Sequence, residues 1–287
     1  MEVSCVLEAR ARLGEGPLWC PREQALYWID SLAPAIHRFA PEDGATRSWE
    51  MPAMIGSMVL RQGGGAVVAL ENGFAFVDLD SGAVEPLCDP EAQEPRTRFN
   101  DGKCDRLGRF WAGTMDRAMA APLGALYRLD AALGWRRMAD GVTVSNGLGW
   151  SPDGRTMYHT DTALRRIHAY DFEPASGEIS RRRVFAEVPE RAGYPDGLTV
   201  DAEGFVWSAI WLGGRVERYA PDGRLERTVE MPVKRPTSCI FGGPDLDLLF
   251  ITSASERGRP EPEAAPAGGL FVIEAGVKGL PEPRFAG

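Results

Sequence analysis

The chain has 287 residues, of which 44% are hydrophobic, and its formal net charge is −9. This apolar content is enough for a packed core, and an all-β closure of this length can form one domain, so we expect residues 1–287 to be a single domain. Nucleic-acid binding depends on neutralising phosphates, so the acidic balance argues against a nucleic-acid partner. No apolar run is long enough to predict a membrane span, and no signal peptide is evident.

The cysteines are odd in number, scattered and without CxxC spacing. They are Cys5, Cys20, Cys88, Cys104 and Cys239. This pattern is typical of reduced thiols, not of a disulfide framework or a zinc site. We therefore expect a soluble cytoplasmic protein.

A turn followed by a short strand rich in β-branched and aromatic residues recurs six times. These segments begin at Pro21, Arg61, Asp105, Ser151, Asp201 and Gly243, and a second strand-like segment begins after each, at Ile36, Phe74, Leu126, Ile167, Val216 and Leu270. Six paired strands at a period of roughly 40 to 50 residues are typical of four-stranded propeller blades. We predict an all-β, six-bladed β-propeller in which the first segment of each pair is the inner strand. A β-sandwich is the alternative, but it has no reason to repeat at a constant period.

Polar side chains precede several of these repeats, beginning with Glu15 between two glycines in LGEGPLW. A carboxylate at such a turn can bind a metal, although a solvent-exposed turn glutamate is an equally simple interpretation. Arg98 and Asn100 follow in RFNDGK, ahead of the third repeat. The planar fork of an arginine suits the hydroxyls and carboxylates of a small ligand.

Asn146 in SNG and Asp196 in YPDG occupy the corresponding places before the fourth and fifth repeats. Equivalent positions in blades that radiate from one axis converge on that axis. Two carboxylates and amide oxygens around a central channel would bind a hard cation. The sequence therefore predicts a divalent metal site in the channel.

Other catalytic motifs are weak or missing in the sequence. There is no HExxH motif and no complete GxSxG elbow, which disfavours zinc-peptidase and serine-hydrolase chemistry. His37 and His168 occupy matching places in two repeats, and His159 lies in a strand. The passage from Arg257 to Gly268, rich in proline, glutamate and alanine, is typical of a mobile loop in the last repeat.

Five segments, in order and spanning nearly the whole chain, resemble the SMP-30/gluconolactonase/luciferin-regenerating (regucalcin-like) family. They are LGEGPLW, RFNDGKCDRLGRFWAGTM, SNGLGWSPDGRTMYHTDT, YPDGLTVDAEGFVW and RPTSCIFGG. The resemblance implies a six-bladed propeller with a divalent cation in its central channel and lactonase activity on sugar lactones. It implies Glu15, Asn146 and Asp196 as metal ligands, Asp196 also as the acid/base residue, and Arg98 and Asn100 as substrate-binding residues.

The chain departs from the family pattern at one substrate-binding position. A glutamate found shortly after Gly-Thr-Met in some members aligns with Ala118, and Asp116 is the nearby carboxylate that could replace it. This departure leaves the sugar specificity open.

These observations predict a metal-dependent lactonase that hydrolyses an aldonolactone of the gluconolactone or pentonolactone type. The sequence does not choose among Ca²⁺, Zn²⁺, Mn²⁺, Mg²⁺ and Fe²⁺. One alternative is a phosphotriesterase-like or other esterase on the same propeller, since a metal polarises P=O as well as C=O. The other is a non-catalytic calcium-binding propeller, because fold alone does not decide function. We expect a monomer, since ring closure leaves few free strand edges.

Overall fold

The computed structural model describes residues 2–255 and 266–287, and within them strands form six four-stranded antiparallel sheets. The predicted six-bladed β-propeller is thus confirmed, and each sheet is called a blade below. The blades are numbered one to six along the chain, and the bounds of their strands follow, four strands to each blade.

In blades one to three the strands are β2 (Gly14–Cys20), β3 (Ala25–Asp30), β4 (Ala35–Phe39), β5 (Thr46–Glu50), β6 (Ile55–Leu60), β7 (Ala66–Leu70), β8 (Gly73–Val77), β9 (Val84–Cys88), β10 (Thr97–Cys104), β11 (Phe110–Asp116), β12 (Gly124–Leu129) and β13 (Trp135–Val142). In blades four to six they are β14 (Ser145–Trp150), β15 (Thr156–Asp161), β16 (Arg166–Glu173), β17 (Glu178–Glu187), β18 (Tyr194–Val200), β19 (Val206–Trp211), β20 (Arg215–Tyr219), β21 (Leu225–Glu230), β22 (Pro236–Gly242), β23 (Leu248–Ser253), β24 (Leu270–Glu274) and β1 (Ser4–Leu7).

The sixth blade joins the two ends of the chain and closes the ring. Its order is β22-β23-β24-β1, and β1 pairs antiparallel with β24, with Ser4 opposite Val272. Of the helices in the described residues, none is long and apolar enough to cross a membrane. The passage predicted as a loop, Arg257 to Gly268, falls largely outside the described residues.

The prediction that the first segment of each repeat is the inner strand is wrong. Those segments form the second strand of each blade, and the strand before each one contacts the neighbouring blades at the axis. The true inner strands, such as β14 and β18, carry glycines and polar residues in place of an alternating apolar pattern. They are buried on both sides by neighbouring strands, so they lack the two-residue period that identifies a half-buried strand.

Every inner strand has a register irregularity against its second strand. The shifts lie between Glu15 and Leu18, Ile55 and Ser57, Phe99 and Gly102, Asn146 and Leu148, Pro195 and Leu198, and Pro236 and Ser238. A bulge of this kind bends the strand and re-aims a side chain. It is therefore the local cause of the placement of polar side chains near the axis.

A buried aspartate fixes the turn after the inner strand in blade three and again in blade five. Asp201 accepts the backbone N–H of Glu203 and Phe205, the Nε1–H of Trp207 at 2.9 Å and a guanidinium N–H of Arg218 at 2.6 Å. Asp105 likewise accepts the Nε1–H of Trp111, and it also accepts the Nε–H of Arg109 in its own turn. This shared contact explains why the motifs DRLGRFW and DAEGFVW, which lie two blades apart, resemble each other.

We expect Gly147→Ala to lower the free energy of unfolding by about 1 to 3 kcal/mol, the usual cost of overpacking a tight core. A Cβ at Gly147 would lie 2.6 Å from the backbone oxygen of Asp196 and 2.8 Å from Oγ1 of Thr160. Gly134→Ala is the matched control, because a Cβ there would meet no atom within 4 Å. Urea denaturation of both variants tests this, and equal stabilities would contradict the close approach of β14 and β18.

Candidate functional site

The five predicted site residues all lie on inner strands. Glu15 is on β2, Arg98 and Asn100 are on β10, Asn146 is on β14 and Asp196 is on β18. Around the axis β10 contacts β14, β14 contacts β18, and β22 bridges β18 and β2. The ring arrangement therefore brings residues that are far apart in sequence to one place.

Three carboxyl groups come together near the axis. Burial raises the pKa of Glu15 well above its usual value, and the charges of Asp196 and Asp101 raise it further. Burial, followed by the charge of Asp101, likewise raises the pKa of Asp196, which is only 5% exposed. The pKa of Asp101 is raised by burial to about 6. Like charges held this close in a buried place favour the uptake of protons or of a cation.

Asp101 is not among the functional residues predicted from the sequence. In the sequence it stands next to Asn100 in RFNDGK. In the structure it lies at the bulge of β10. Its Oδ1 accepts the backbone N–H of Gly102 at 2.8 Å. A short Asn-Asp-Gly run reads as an ordinary turn, so the carboxylate could be found only once the neighbouring blades were in place.

Two buried oxygens near the carboxyl group of Asp196 have no hydrogen-bond partner, namely Oδ1 of Asn146 and Oδ1 of Asp196 itself. The amide of Asn146 is oriented by Thr162, whose Oγ1 accepts from Nδ2 of Asn146 at 3.2 Å and donates to the oxygen of Pro195 at 2.8 Å. Because Nδ2 is used, Oδ1 of Asn146 is the free atom. Both atoms are oxygens able to act as ligands, and a bound ion is one way of satisfying such buried, unpaired acceptors.

These donors fit a hard divalent cation, which prefers carboxylate and amide oxygens. Within residues 2–255 and 266–287, no group of three or more His, Cys, Asp or Glu side chains is arranged to hold a metal ion. A cation here would therefore need the amide oxygen of Asn146 beside the carboxylates of Glu15 and Asp196.

Arg98 and Asn100 form a pair on β10. Nη1 of Arg98 donates to Oδ1 of Asn100 and to the oxygen of Phe99, both at 2.9 Å, and Nδ2 of Asn100 donates to the oxygen of Ser145 at 2.8 Å. Both ends of the Asn100 amide are thus engaged. Burial, and then the charge of Arg117, lowers the pKa of Arg98 to about 10.

Asp116 does not offer a free carboxylate in place of the glutamate that aligns with Ala118. Its oxygens accept the backbone N–H groups of Ala118 at 3.1 Å, Ala120 at 3.0 Å and Ala121 at 2.8 Å. These bonds lower its pKa and fix the loop after β11. Ala118 itself is exposed and adds no charge.

The far end of β10 is closed by the C-terminal segment. Nζ of Lys103 donates to the oxygen of Leu198 at 3.1 Å and lies 3.6 Å from a carboxylate oxygen of Glu282. A cavity of only about 20 Å³ remains there between the inner strands and Pro283. A larger groove, of about 850 Å³, lies between blades one and two and is lined by none of the predicted site residues.

A buried histidine in blade four, His159, contacts Ser145, which in turn binds the site residue Asn100. Nε2 of His159 lies 2.8 Å from Oγ of Ser145, the residue whose backbone oxygen holds Asn100. Burial, and then the charges of His168 and Arg182, lowers the pKa of His159 to about 3. His159 is therefore neutral in the folded protein.

A family model described as the SMP-30/gluconolactonase/LRE-like region matches residues 13–255. The chain belongs to this family. It is 39% identical over 288 residues to the 6-deoxy-6-sulfogluconolactonase of Pseudomonas putida, with 99% of both chains covered. It is 36% identical over 296 residues to the pentonolactonase of Haloferax volcanii, covering 99% of this chain and 98% of the relative.

Among solved structures, this family member is similar to the regucalcin of Agrobacterium tumefaciens, described as a calcium-binding protein. The TM-score is 0.92 at 28% sequence identity, with 98% of this chain and 96% of the other covered. The family expected from the five sequence segments is thus confirmed, and the propeller is shared over nearly the whole length.

We expect His159→Gln to flatten the pH dependence of stability below neutrality. The folded-state pKa of His159, about 3, lies below its usual value of about 6.5, so as pH falls through this window the unfolded chain takes up a proton that the fold does not. The free energy of unfolding of the parent protein should therefore fall by up to about 1.4 kcal/mol per pH unit on account of this group. Urea denaturation between pH 6 and pH 4 measures the two slopes, and parallel curves would contradict the assignment.

We expect Asp196→Asn to raise the melting temperature of the metal-free protein at pH 7, because it removes one of three mutually repelling carboxyl groups. The same variant should lose most of the thermal stabilisation that added Ca²⁺ or Mn²⁺ gives the parent protein. Thermal unfolding after chelation, with and without each cation, measures both effects. Asp245→Asn is the control, since its side chain is 72% exposed. A parent protein that no divalent cation stabilises would contradict the metal site.

Proposed function

We propose that this chain is a metal-dependent sugar lactonase that hydrolyses the ester bond of a five- or six-carbon aldonolactone. The observation that carries the proposal is the convergence of Glu15, Asp101 and Asp196 beside the unpaired Oδ1 atoms of Asn146 and Asp196. The lactonases among its relatives support the substrate class.

Glu15, Asn146 and Asp196 are the residues we propose to hold the cation. When bound, a divalent cation supplies Lewis-acid polarisation of the lactone carbonyl. The residues themselves offer only oxygen ligands, so we propose Ca²⁺, Mn²⁺, Mg²⁺, Zn²⁺ or Fe²⁺, without choosing among them on geometry.

Asp196 is the residue we propose as general base and acid. Its buried carboxyl group has a raised pKa, which brings its proton affinity nearer to that needed for proton transfer at neutral pH. In this role Asp196 takes a proton from the attacking water and returns it to the ring oxygen as the ester bond breaks. A water nucleophile needs no covalent intermediate, in keeping with the absence of a Ser-His elbow from the sequence.

Arg98 and Asn100 are the residues we propose to bind the substrate. Nε and Nη2 of Arg98 donate to no described residue, so these N–H groups are available to ring hydroxyls. Asn100, held between Arg98 and Ser145, fixes the guanidinium in place and so contributes orientation.

A calcium-binding propeller without turnover is the second candidate. It is favoured by the similarity to a protein described as calcium-binding. Both the lactonase and the calcium-binding propeller would bind a cation. They differ in whether Asp196 transfers a proton during a reaction.

The test is lactone ring opening in a pH-stat, on a panel of gluconolactone and pentonolactones, with chelated protein and each divalent cation added back. We expect activity that needs a cation and that falls by about 10² to 10⁴-fold in Asp196→Asn, the usual contribution of a general acid or base. Asp245→Asn should retain activity. Cation binding without turnover on any lactone would overturn the lactonase proposal and favour the calcium-binding propeller.

A further inference from the structure

Two arginines lie side by side at the end of blade three where β10 begins. In the β10–β11 pairing Thr97 is opposite Asp116 and Arg98 is opposite Met115, so Arg117 follows at the same end as Arg98. Nε of Arg117 donates to the backbone oxygen of Thr97 at 2.9 Å, which fixes it against the residue before Arg98. The two guanidiniums are close enough for Arg117 to lower the pKa of Arg98.

This pair of guanidiniums makes one ion pair among the described residues, with Glu71, although the charge of Glu15 also acts on Arg98. Arg98 has no carboxylate within ion-pair distance among the described residues, since its hydrogen bonds go to an amide and a backbone oxygen. Arg117 pairs through Nη1 with Glu71 at 2.8 Å, and its Nη2 contacts no acceptor in the described part of the chain. The Arg117 side chain is 41% exposed, so an incoming ligand can reach it.

Asp116, the acidic residue beside Arg117 in the sequence, does not pair with either guanidinium among the described contacts. Asp116 is directly before Arg117, but its carboxylate is bound to three backbone N–H groups of its own loop. Ala118, directly after Arg117, is exposed and uncharged. At this end of the blade the charges of Glu71 and Glu15 act on the arginines, but each guanidinium keeps N–H groups that have no acceptor among the described residues.

We propose that Arg98 and Arg117 form a subsite for an anionic group, a carboxylate, sulfonate or phosphate, carried by the lactone at a carbon away from its ester bond. This inference rests on the proposed lactonase function and narrows its substrate class to acidic sugar lactones. Guanidinium N–H groups bind such oxyanions through short, charge-assisted hydrogen bonds, often two at once. The charge of Glu15 acts on Arg98 and the Arg117 side chain is 41% exposed, so in this proposal the pair lies between the carboxyl cluster and the solvent.

The test compares kcat/KM for lactones of one ring that differ only in charge. The probes are glucono-1,5-lactone, its 6-phosphate, its 6-deoxy-6-sulfonate and, for the carboxylate, a glucaric acid monolactone, each with the activating cation. We expect at least one charged lactone to exceed the neutral one, with a KM that rises with ionic strength. The charged lactone with the highest kcat/KM identifies the anionic group that the subsite prefers.

Arg117→Met should lower the ratio of kcat/KM for the charged over the neutral lactone by about tenfold or more, the worth of a lost charge-assisted hydrogen bond. Arg117→Gln, which keeps a hydrogen-bond donor but removes the charge, is the second variant in case Arg117→Met folds poorly, and it should lower the same ratio. Arg96→Met is the matched control, because Arg96 is 64% exposed and is paired with Glu94. It should leave the ratio unchanged.

Two failures can be told apart. Cation-dependent hydrolysis with no preference for charge, or equal losses on both lactones in Arg117→Met, would overturn the anionic subsite and leave the lactonase proposal standing. Failure to hydrolyse any lactone, charged or neutral, would overturn both.

Discussion

The close approach of the inner strands at the axis is the constraint on which the candidate site depends. Glycine in these strands removes the Cβ that would otherwise strike the next blade, as between Gly147 and Asp196 or between Gly197 and Ser238. The bulge at the same height breaks the regular alternation of side chains in all six inner strands. Polar residues from different blades therefore lie close together near the axis, and the candidate site needs several blades to form.

That meeting has an electrostatic cost, because Glu15, Asp101 and Asp196 are brought together with few compensating partners. The blades hold the arrangement through features remote from it, such as the Asp201–Trp207–Arg218 contact and the apolar layers between sheets. A rigid scaffold that holds the carboxylates close together would have little to reorganise on binding the proposed cation, and such preorganisation favours affinity.

The sequence predicted the repeat because the second and third strands of each blade follow short turns and show strand-like composition, as in the segments from Pro21 and Ile36. It did not predict the inner strands correctly, since doubly buried strands with bulges have no period, and β2 reads as a turn around Glu15. The outer strands escaped notice for the opposite reason, because strands such as β5 are exposed at most positions. Four candidates at equivalent repeat positions were placed together by symmetry, while Asp101 and Thr162 required the actual register.

The two ends of β10 make different kinds of contact. At one end, Lys103 and Glu282 close the axis with the C-terminal segment, and a change there would affect stability before chemistry. At the other end, Arg98 belongs to a strand that cannot shift without moving Asn100, whereas Arg117 belongs to a loop that is held by Asp116, by bonds to Arg96 and Thr97 and by the ion pair with Glu71. Residues in such a loop can change without disturbing the carboxyl cluster. In the proposed lactonase, the chemistry would therefore stay at the axis while the loop that carries Arg117 selects the substituent on the sugar ring.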